Sequence, residues 1–543
     1  MEEFKRIVIV AYRLPFTIRH RNGKMTAQQN SGGLVSAVLS LTERMKKSQS
    51  GTGSAKTVWV GKGDHDAEQM NSLREVKETF ELVPVKIPDH VNEKFYGGFC
   101  NDLIWPLFHY FPSMTVFGQG YYESYRKANQ LFYRELKKII SPGDFIWIHD
   151  YQLFLLPGMI RNDFPDASVS FFLHIPFPSY EVFRIMPDGY QAAILKGMLG
   201  ADLIGFHTHD YAQHFLKSVR RALGYDISLN TVMAEDTYSR ADAFPISIDY
   251  KKFHDTVFLP ETEKYMQKIH KQKRDRMLIF SVDRLDYTKG FLNRLAAFEL
   301  FLERYKSMRG RVVFNMVIVP SRDTIARYQE MKKEIEATVG RINGKYGTLD
   351  WNPIAYQYKS LKFNEMIALY TLSDVGLLTP LRDGMNLVAK EYVAAQHQKH
   401  GMLILSEMAG AAAEMSESVL VNPTDISQMA DAIYNALMMP AEERKSRIEA
   451  MKKRLRDYDV FSWADDILRS VVRVKTDRKS FRVRLINRDI EDRIIDAFCN
   501  SSQPVLFLDY DGTLVPIREL PEMATPEDVI ISLTGRLAAK SNV

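Results

Sequence analysis

Two cationic side chains follow an apolar run at Asp283–Gly290, where the sequence reads DRLDYTKG. Arg284 and Lys289 lie where a predicted strand gives way to the N-terminus of a predicted helix. A guanidinium and an ammonium group at this place suit a diphosphate, because the helix end adds a partial positive charge of its own. The alternative is that both cations simply face solvent.

A second cluster, Arg382–Glu391 (RDGMNLVAKE), also follows an apolar strand and opens a helix. Gly384 lets backbone N–H groups approach an anion, and Glu391, two turns into the helix, can accept hydrogen bonds from ribose hydroxyls. Alone, Glu391 would be an ordinary surface carboxylate. Together the two clusters predict a site for a sugar nucleotide in the second half of the chain.

The first half offers a matching set of polar residues at strand ends. Arg13 ends the first predicted strand, and the turn Ser31-Gly32-Gly33 precedes a helix with apolar residues at Leu34–Met45. His149-Asp150 and His174 each end an apolar strand. Side chains at the carboxyl ends of parallel strands face the ligand edge of an open sheet, so we expect them to line a cleft.

Strands alternate with helical stretches along most of the chain, which predicts an α/β fold with parallel sheets covered by helices on both faces. The predicted strands are Arg6–Tyr12, Thr57–Val60, Phe145–His149, Ser168–His174, Leu203–Phe206, Met277–Val282, Val312–Val319, Ile354–Gln357, Val375–Thr379 and Leu403–Ser406. A polar helix is predicted from Thr324 to about Arg341. The strands form two series that separate near Pro245–Lys251, so we predict two doubly wound domains facing across a cleft.

Composition excludes several classes of protein. The chain has 543 residues, two cysteines and a net charge of +5. Residues 469–488 alone carry +7, so the rest of the chain is close to neutral and offers no nucleic-acid footprint. No apolar stretch approaches the length of a membrane helix, and the N-terminus lacks a signal peptide. We therefore expect a soluble cytoplasmic protein without nucleic-acid or membrane partners.

The sequence resembles the trehalose-6-phosphate synthase family, which are retaining glucosyltransferases of the two-domain GT-B type. The resemblance covers about residues 4–475. It is carried by RLP at Arg13–Pro15, SGGL at Ser31–Leu34, FYGGFCNDLIWPLFHY at Phe95–Tyr110, and the motifs WIHDYQL, FFLHIPFP, FPISID, VDRLDYTKG, VPSRDT, GRINGKYG and TPLRDGMNLVAKEYVAAQ. We expect domains at 1–247 (acceptor) and 248–475 (nucleotide sugar), followed by a basic linker at 476–502.

The resemblance implies a role for each matching residue. Arg284 and Lys289 would bind the donor diphosphate, and Glu391 the ribose. His174 would bind the donor glucose, and Asp383 with the Gly384–Val388 backbone would hold its hydroxyls and the phosphates. The remaining implied donor contacts are Gly33, Met385, Asn386, Leu387 and Val388. The implied acceptor contacts, for glucose-6-phosphate, are Arg13, Tyr96, Trp105, Asp150 and Arg322.

Two residues depart from the family pattern, and they keep other acceptors open. Tyr12 stands where asparagine is usual before the RLP arginine, and Lys62 stands where tryptophan is usual beside the acceptor. Lys62 adds either a phosphate contact or a change of acceptor, such as glycerol phosphate or another sugar phosphate. A non-catalytic sugar-phosphate sensor is a further alternative. The sequence does not choose between UDP-, GDP- and ADP-glucose, and it leaves a homo-oligomer open.

The resemblance also implies a mechanism without a metal or other cofactor. Glycosidases that retain configuration use two carboxylates about 5 Å apart, and the sequence nominates no such pair. Front-face transfer is implied instead, in which Arg284 and Lys289 stabilise the departing diphosphate. No convincing Asp-x-Asp metal motif is found in the transferase region, so we expect UDP-glucose as a substrate and no cofactor.

The C-terminal stretch LFLDYDGTL at Leu506–Leu514 resembles the first motif of haloacid-dehalogenase-type phosphatases. Pro504–Asp509 is predicted as a strand, with Asp509 as a nucleophile and Asp511 as an acid/base. We expect residues 503–543 to be an incomplete phosphatase fragment. Mg²⁺ would be needed only by a complete phosphatase domain, and we expect no phosphatase activity from this chain.

Overall fold

The computed structural model describes residues 4–21, 24–29, 57–73, 76, 80–234, 237–321, 326–397, 401–484, 488–502, 505, 507–510, 513–516, 520 and 523–539. The chain divides into two compact units, Met1–Thr476 and Asp477–Val543. The finer domain boundaries expected from the sequence stay predictions.

The described strands of the first unit number 17, and seven of them were not predicted from the sequence. They are β1 (Arg6–Arg13), β2 (Phe16–Arg21), β3 (Lys24–Gln29), β4 (Val58–Lys62), β5 (Glu81–Val85), β6 (Asp144–His149), β7 (Ser168–Phe172), β8 (Leu203–Phe206), β9 (Asp226–Ser228), β10 (Thr231–Ala234), β11 (Thr237–Ala243), β12 (Met277–Arg284), β13 (Val312–Val319), β14 (Ile354–Tyr358), β15 (Val375–Leu378), β16 (Met402–Ser406) and β17 (Val419–Val421). Each of the ten strands predicted before residue 410 forms, with its ends within two residues of the prediction.

These strands build two main sheets, which confirms the predicted α/β class. The first sheet has the order β5-β4-β1-β6-β7-β8-β11-β10-β9 and the second has β14-β13-β12-β15-β16-β17, while β2 and β3 pair as a hairpin. The second sheet is parallel throughout, and the first is parallel from β5 to β11. Strands such as β6 and β7 are buried along their whole length, which explains their continuous apolar sequence.

The described helices alternate with the strands along most of the chain, and the last two belong to the second unit. They are α1 (Ala67–Ser72), α2 (Asp89–Asn92), α3 (Trp105–Phe108), α4 (Tyr121–Lys137), α5 (Leu156–Asp163), α6 (Tyr180–Phe183), α7 (Asp188–Met198), α8 (His209–Leu223), α9 (Tyr250–Thr256), α10 (Pro260–Lys273), α11 (Phe291–Arg304), α12 (Ala326–Tyr346), α13 (Phe363–Leu372), α14 (Leu387–Ala394), α15 (Ile426–Met438), α16 (Ala441–Asp457), α17 (Val460–Arg484), α18 (Arg488–Asn500) and α19 (Asp528–Ala538). A π-helical stretch, Glu93–Ile104, joins α2 to α3. The helix predicted at Leu34–Met45 lies outside the described residues.

Topology places one switch point in each sheet. In the first sheet β1 has β4 on one side and β6 on the other, and in the second β12 lies between β13 and β15. Neighbouring strands whose crossovers run to opposite faces leave a crevice at their carboxyl ends, and ligands bind there. Arg13 ends β1 and Arg284 ends β12. The predicted cationic residues therefore lie at the expected ligand edges.

The predicted strand at Pro504–Asp509 is wrong for the described residues of that segment. Val505 and residues 507–509 are not in a strand. A strand needs a partner to take up its backbone hydrogen bonds, and the elements described in the second unit are the helices α18 and α19. The apolar sequence of this segment is therefore not sufficient to make it a strand here.

Candidate active site

The cations of the DRLDYTKG motif are held by a short turn between β12 and α11. Arg284 is exposed at the end of β12, and Lys289 closes a 3₁₀ turn at Tyr287–Lys289. Gly290 caps α11 with a φ of 66°, and a Cβ there would lie 2.9 Å from the Thr379 carbonyl oxygen. Only glycine adopts this conformation readily at such a close approach. The turn thus brings both cations to the carboxyl edge of the second sheet.

Lys289 forms an ion pair with Asp383, with 2.6 Å between Nζ and Oδ2. The same carboxylate accepts hydrogen bonds from the Gly384 backbone N–H and the Asn386 side-chain amide, each at 3.0 Å. Burial lowers the pKa of Lys289, but the charges of Asp383 and Asp283 outweigh this and raise it above its usual value. The two predicted clusters therefore meet, and the Lys289 ammonium group is charged at neutral pH.

Arg294, which was not predicted from the sequence, holds the turn at residues 287–290 in place. Its guanidinium is fully buried, pairs with Asp283 at 2.9 Å and donates to the Lys289 carbonyl oxygen at 3.1 Å. Its Nε donates to the Thr379 hydroxyl at 3.2 Å. The sequence signal that could have revealed this role is an arginine on an otherwise apolar helix face, one turn after Gly290.

Helix α14 carries Glu391 towards the same edge. Asn386 caps its N-terminus by accepting from the Ala389 N–H at 3.0 Å. The Tyr370 hydroxyl donates to Glu391 Oε2 at 2.9 Å. Burial raises the pKa of Glu391 to about 7, against the opposing effects of the Tyr370 hydrogen bond and the Lys252 charge. Glu391 is thus a carboxyl group that changes charge near neutral pH.

Across from these residues, two histidines and an aspartate gather at the ends of β6 and β7. His149 Nδ1 and His174 Nε2 are 3.1 Å apart, and the backbone N–H of His174 donates to Asp150 Oδ1 at 3.2 Å. Burial lowers the pKa of His174 to about 3, so its imidazole is neutral at physiological pH. A neutral ring can exchange hydrogen bonds with a sugar hydroxyl without adding charge.

Asp150 has a strained backbone conformation, and burial disfavours the charged form of its carboxyl group. Its φ of 74° lies in the left-handed region, which costs energy for a residue other than glycine. Burial raises its pKa to about 7, and the backbone N–H groups of His174 and Tyr151 and the charge of Arg284 act in the opposite direction. The last effect shows that a cation of the second sheet reaches an acid of the first. Strain and an unfavourable carboxylate together are typical of a functional site.

The residues predicted to bind an acceptor also lie together. Arg13 donates to the Tyr96 hydroxyl at 2.9 Å, and Tyr12 stacks on the Tyr96 ring with 4.4 Å between centroids. The π-helical stretch carries Tyr96 and delivers Trp105 at its end. Lys62 is paired in register with Arg13 on the neighbouring strand and contacts Asp64 at 3.3 Å. The two residues that depart from the family pattern are thus adjacent to the acceptor residues.

Several contacts join the two halves of the first unit. A Cβ on Gly384 would lie 2.2 Å from the His174 carbonyl oxygen, so the two backbones touch. The Tyr211 hydroxyl donates to the Asp383 carbonyl oxygen at 3.2 Å, and the Trp105 indole donates to Asp286 at 3.4 Å. These contacts bring residues predicted to bind a donor close to residues predicted to bind an acceptor.

The remaining predicted residues lie in three different parts of the chain. Met385, Leu387 and Val388 lie at the start of α14, next to the Asp383 turn. Gly33, Arg322 and Asp511 lie outside the described residues. Asp509 is exposed in the second unit, where it accepts a hydrogen bond from Thr513 at 3.1 Å.

Two further features of the described residues concern metal binding and membranes. Within the described ranges, no three histidine, cysteine, aspartate or glutamate side chains are grouped to hold a metal ion. None of the helices in those ranges combines the length and the apolar character needed to cross a bilayer.

Comparison with known proteins gives consistent results. Residues 5–473 match the sequence model of Glycosyltransferase family 20. A bifunctional trehalose-6-phosphate synthase/phosphatase from Thermoproteus tenax is 40% identical over 537 residues, covering 98% of this chain and 73% of the relative.

Solved structures agree. An α,α-trehalose-phosphate synthase (UDP-forming) from Burkholderia xenovorans, in complex with glucose-6-phosphate, has a TM-score of 0.76 at 32% identity and covers 86% of this chain and 99% of its own. A protein from E. coli bound with UDP-2-fluoro glucose has a TM-score of 0.75 at 31% identity and covers 86% and 98%.

Proposed function

The chain belongs to glycosyltransferase family 20, and on this basis we propose that it transfers glucose from UDP-glucose to glucose-6-phosphate, giving α,α-trehalose-6-phosphate and UDP. The observation that carries the proposal is the meeting of Lys289 and Asp383 beside His174 in one cleft. The ligands of the Burkholderia xenovorans and E. coli structures are of the two substrate classes proposed here.

The donor would bind along the carboxyl edge of the second sheet. In this proposal Arg284 and Lys289 contact the diphosphate, Glu391 accepts hydrogen bonds from the ribose, and Asp383 and His174 contact the glucose. In the structure the carboxylate of Asp383 pairs with the ammonium group of Lys289, with 2.6 Å between Oδ2 and Nζ. An incoming diphosphate supplies two charges for the same ammonium group and leaves the carboxylate free to accept from sugar hydroxyls.

The acceptor would bind at the end of β1. Arg13 and Lys62 are in register on adjacent strands, so two cations flank one position where a phosphate can lie. Tyr96 and Trp105 offer aromatic surfaces, and Asp150 offers a carboxylate for the attacking sugar. Lys62 fits this arrangement as an additional phosphate contact, which favours a phosphorylated acceptor.

The chemistry follows from where charge develops. As the glucose–phosphate bond breaks, negative charge grows on the departing diphosphate, and preorganised cations at that point lower the barrier more than any other group present. The diphosphate oxygen can then take the proton of the attacking acceptor hydroxyl on the same face of the sugar. We propose that Arg284 and Lys289 supply this charge without a divalent metal. We also propose a cytoplasmic location, which the free thiols of Cys100 and Cys499 support.

A panel of acceptors tests the proposed activity. With UDP-glucose as donor and a metal chelator in the buffer, we expect UDP release with glucose-6-phosphate at least tenfold faster than with glycerol phosphate or unphosphorylated glucose, because Arg13 and Lys62 select a phosphate. UDP release is measured by a coupled assay. Faster release with glycerol phosphate would favour a different acceptor, and no release with any acceptor would favour a non-catalytic sensor.

Glu391→Gln tests the donor half of the site through pH. The carboxylate accepts two hydrogen bonds better than the protonated acid, and its pKa is about 7. We therefore expect the intact chain to bind UDP more tightly relative to the variant at pH 8 than at pH 6, by about tenfold. Calorimetry of both proteins at both pH values gives this ratio, from which titration of UDP itself cancels. An equal ratio at the two pH values would contradict the assignment.

A further inference from the structure

Lys390, the residue before Glu391, has a buried ammonium group that the reaction does not use. Its side chain is 1% exposed. Nζ donates to the Ile246 carbonyl oxygen at 2.7 Å and forms a short ion pair with Glu414. Burial lowers the pKa of Lys390, and the Glu414 charge opposes this. The donor helix α14 is thus tied to a residue 144 positions earlier in the chain.

Ile246 belongs to the connecting segment, residues 244–249, which leads from β11 of the first sheet to α9. Carbonyl oxygens at alternate positions of this segment accept hydrogen bonds. Phe244 accepts from the Trp463 indole at 3.2 Å, and Ile248 accepts from the Val460 N–H at 3.0 Å. Both of these donors lie on α17. The middle bond comes from Lys390 on α14.

Packing alone does not account for a lysine at this position. Removing an ammonium group from water costs several kcal/mol even after relaxation, and an apolar side chain of similar volume is often as stable or more stable. Val393 and Ala394, three and four residues beyond Lys390 on α14, are fully buried, so an apolar residue would suit this helix face. What the lysine adds is a directed bond to one carbonyl oxygen.

We propose that Lys390 is a positioning residue for the donor site. It fixes α14 against the connecting segment, and α14 in turn holds Glu391 and the Asp383–Val388 turn where a nucleotide sugar binds. This inference rests on the proposed function. The acceptor residues Arg13 and Tyr96 belong to β1 and the π-helical stretch, which Lys390 does not reach, so the effect should be confined to the donor.

The experiment is calorimetric titration of the Lys390→Met chain with UDP and, separately, with glucose-6-phosphate. We expect UDP to bind about tenfold more weakly, which corresponds to about 1.4 kcal/mol, and glucose-6-phosphate to bind as before. Lys452→Met is the matched control. Lys452 is also a buried lysine, 7% exposed and paired with Glu449 at 3.0 Å, and it lies on α16, a helix that packs against α14. This control should leave both affinities unchanged.

A second variant covers the case in which Lys390→Met does not fold. Glu414→Gln weakens the anchor at a side chain that is 21% exposed and leaves no cavity, and it should weaken UDP binding by about threefold. UDP affinity within twofold of the unsubstituted chain in every folded variant would overturn the inference, as would an equal loss for glucose-6-phosphate. Failure of the unsubstituted chain to bind UDP would instead overturn the proposed function, and this inference with it.

Discussion

Replacing Arg284 with alanine is expected to lower turnover by about 1,000-fold while the fold stays intact. Arg284 is exposed at the carboxyl end of β12, so its removal leaves no cavity. Its charge is proposed to stabilise the departing diphosphate, and that charge grows only as the bond breaks. The loss should therefore fall mainly on kcat. Initial rates of UDP release with saturating UDP-glucose and glucose-6-phosphate measure it.

The matched control for Arg284 is Arg304→Ala. Arg304 ends α11, thirteen residues beyond its start, and pairs with Asp431 at 2.8 Å with 39% of its side chain exposed. Since α11 rises about 1.5 Å per residue, this arginine lies far along the helix from the site. It should keep normal turnover. Near-normal turnover in the Arg284 variant, or an equal loss in both variants, would contradict the proposed mechanism.

The same substitution has a second expected effect, on Asp150. The Arg284 charge lowers the pKa of that carboxyl against the larger effect of burial. Its removal should therefore raise the pKa of Asp150 further, and the acid limb of any residual activity should move to higher pH. An unchanged limb would show that the two groups do not act on each other in the working enzyme.

Ten strands could be predicted because burial on both faces leaves a mark in each strand's own sequence, although that mark alone did not make a strand of the described residues within Pro504–Asp509. A parallel strand buried on both faces must be apolar throughout, so runs such as RIVIVA and FIWIH mark β1 and β6 directly. Similarity to solved structures confirms the two-sheet GT-B arrangement. The π-helical stretch was missed because its 12 residues differ from an α-helix only in the hydrogen-bond ladder, which leaves no distinct pattern in the sequence.

The site residues also divide into those that could be predicted from the sequence and those that could not. Arg284 and Lys289 were found because they follow a strand, and the strand end locates them without knowledge of the tertiary fold. Asp383 was implied only by the family resemblance. Arg294 and Lys390 were missed because their partners are brought near by folding. Lys390 lies 144 residues from the carbonyl group it contacts. A lysine between Ala389 and Glu391 on an apolar helix face was the available signal, and its meaning depends on a segment that the sequence alone does not place beside it.

Replacing Asp150 with asparagine is expected to lower kcat/KM for glucose-6-phosphate by about 100-fold and to raise thermal stability at pH 8. Asparagine has the same shape as aspartate, so it adds no new backbone strain at the φ of 74°, and it keeps an oxygen for the His174 backbone N–H, which lies 3.2 Å from Asp150 Oδ1. It removes the charge proposed to accept from the attacking sugar. It also removes a charge that the folded protein disfavours, and this is why activity and stability should move in opposite directions.

The sign of the stability change follows from the pKa. Burial raises the pKa of Asp150 from its usual value of 3.8 to about 7. Between these values the folded chain binds more protons at this site than the unfolded chain does, so this carboxyl lowers the free energy of unfolding as pH rises. The cost is complete at pH 8 and absent near pH 4. The variant should therefore unfold at a higher temperature than the intact chain at pH 8, and at a similar temperature near pH 4.

Asp163→Asn is the control with the opposite sign. Asp163 is an exposed carboxyl whose pKa is lowered by hydrogen bonds from Lys137 and Tyr133, so it favours the fold at neutral pH and loses that effect as the pH falls. This variant should keep its activity and show no gain in thermal stability at pH 8. Thermal unfolding followed by circular dichroism at both pH values, with rates at pH 8, makes the comparison. A less stable Asp150→Asn chain at pH 8 would show that the buried carboxylate supports the fold, and full activity would remove Asp150 from the acceptor site.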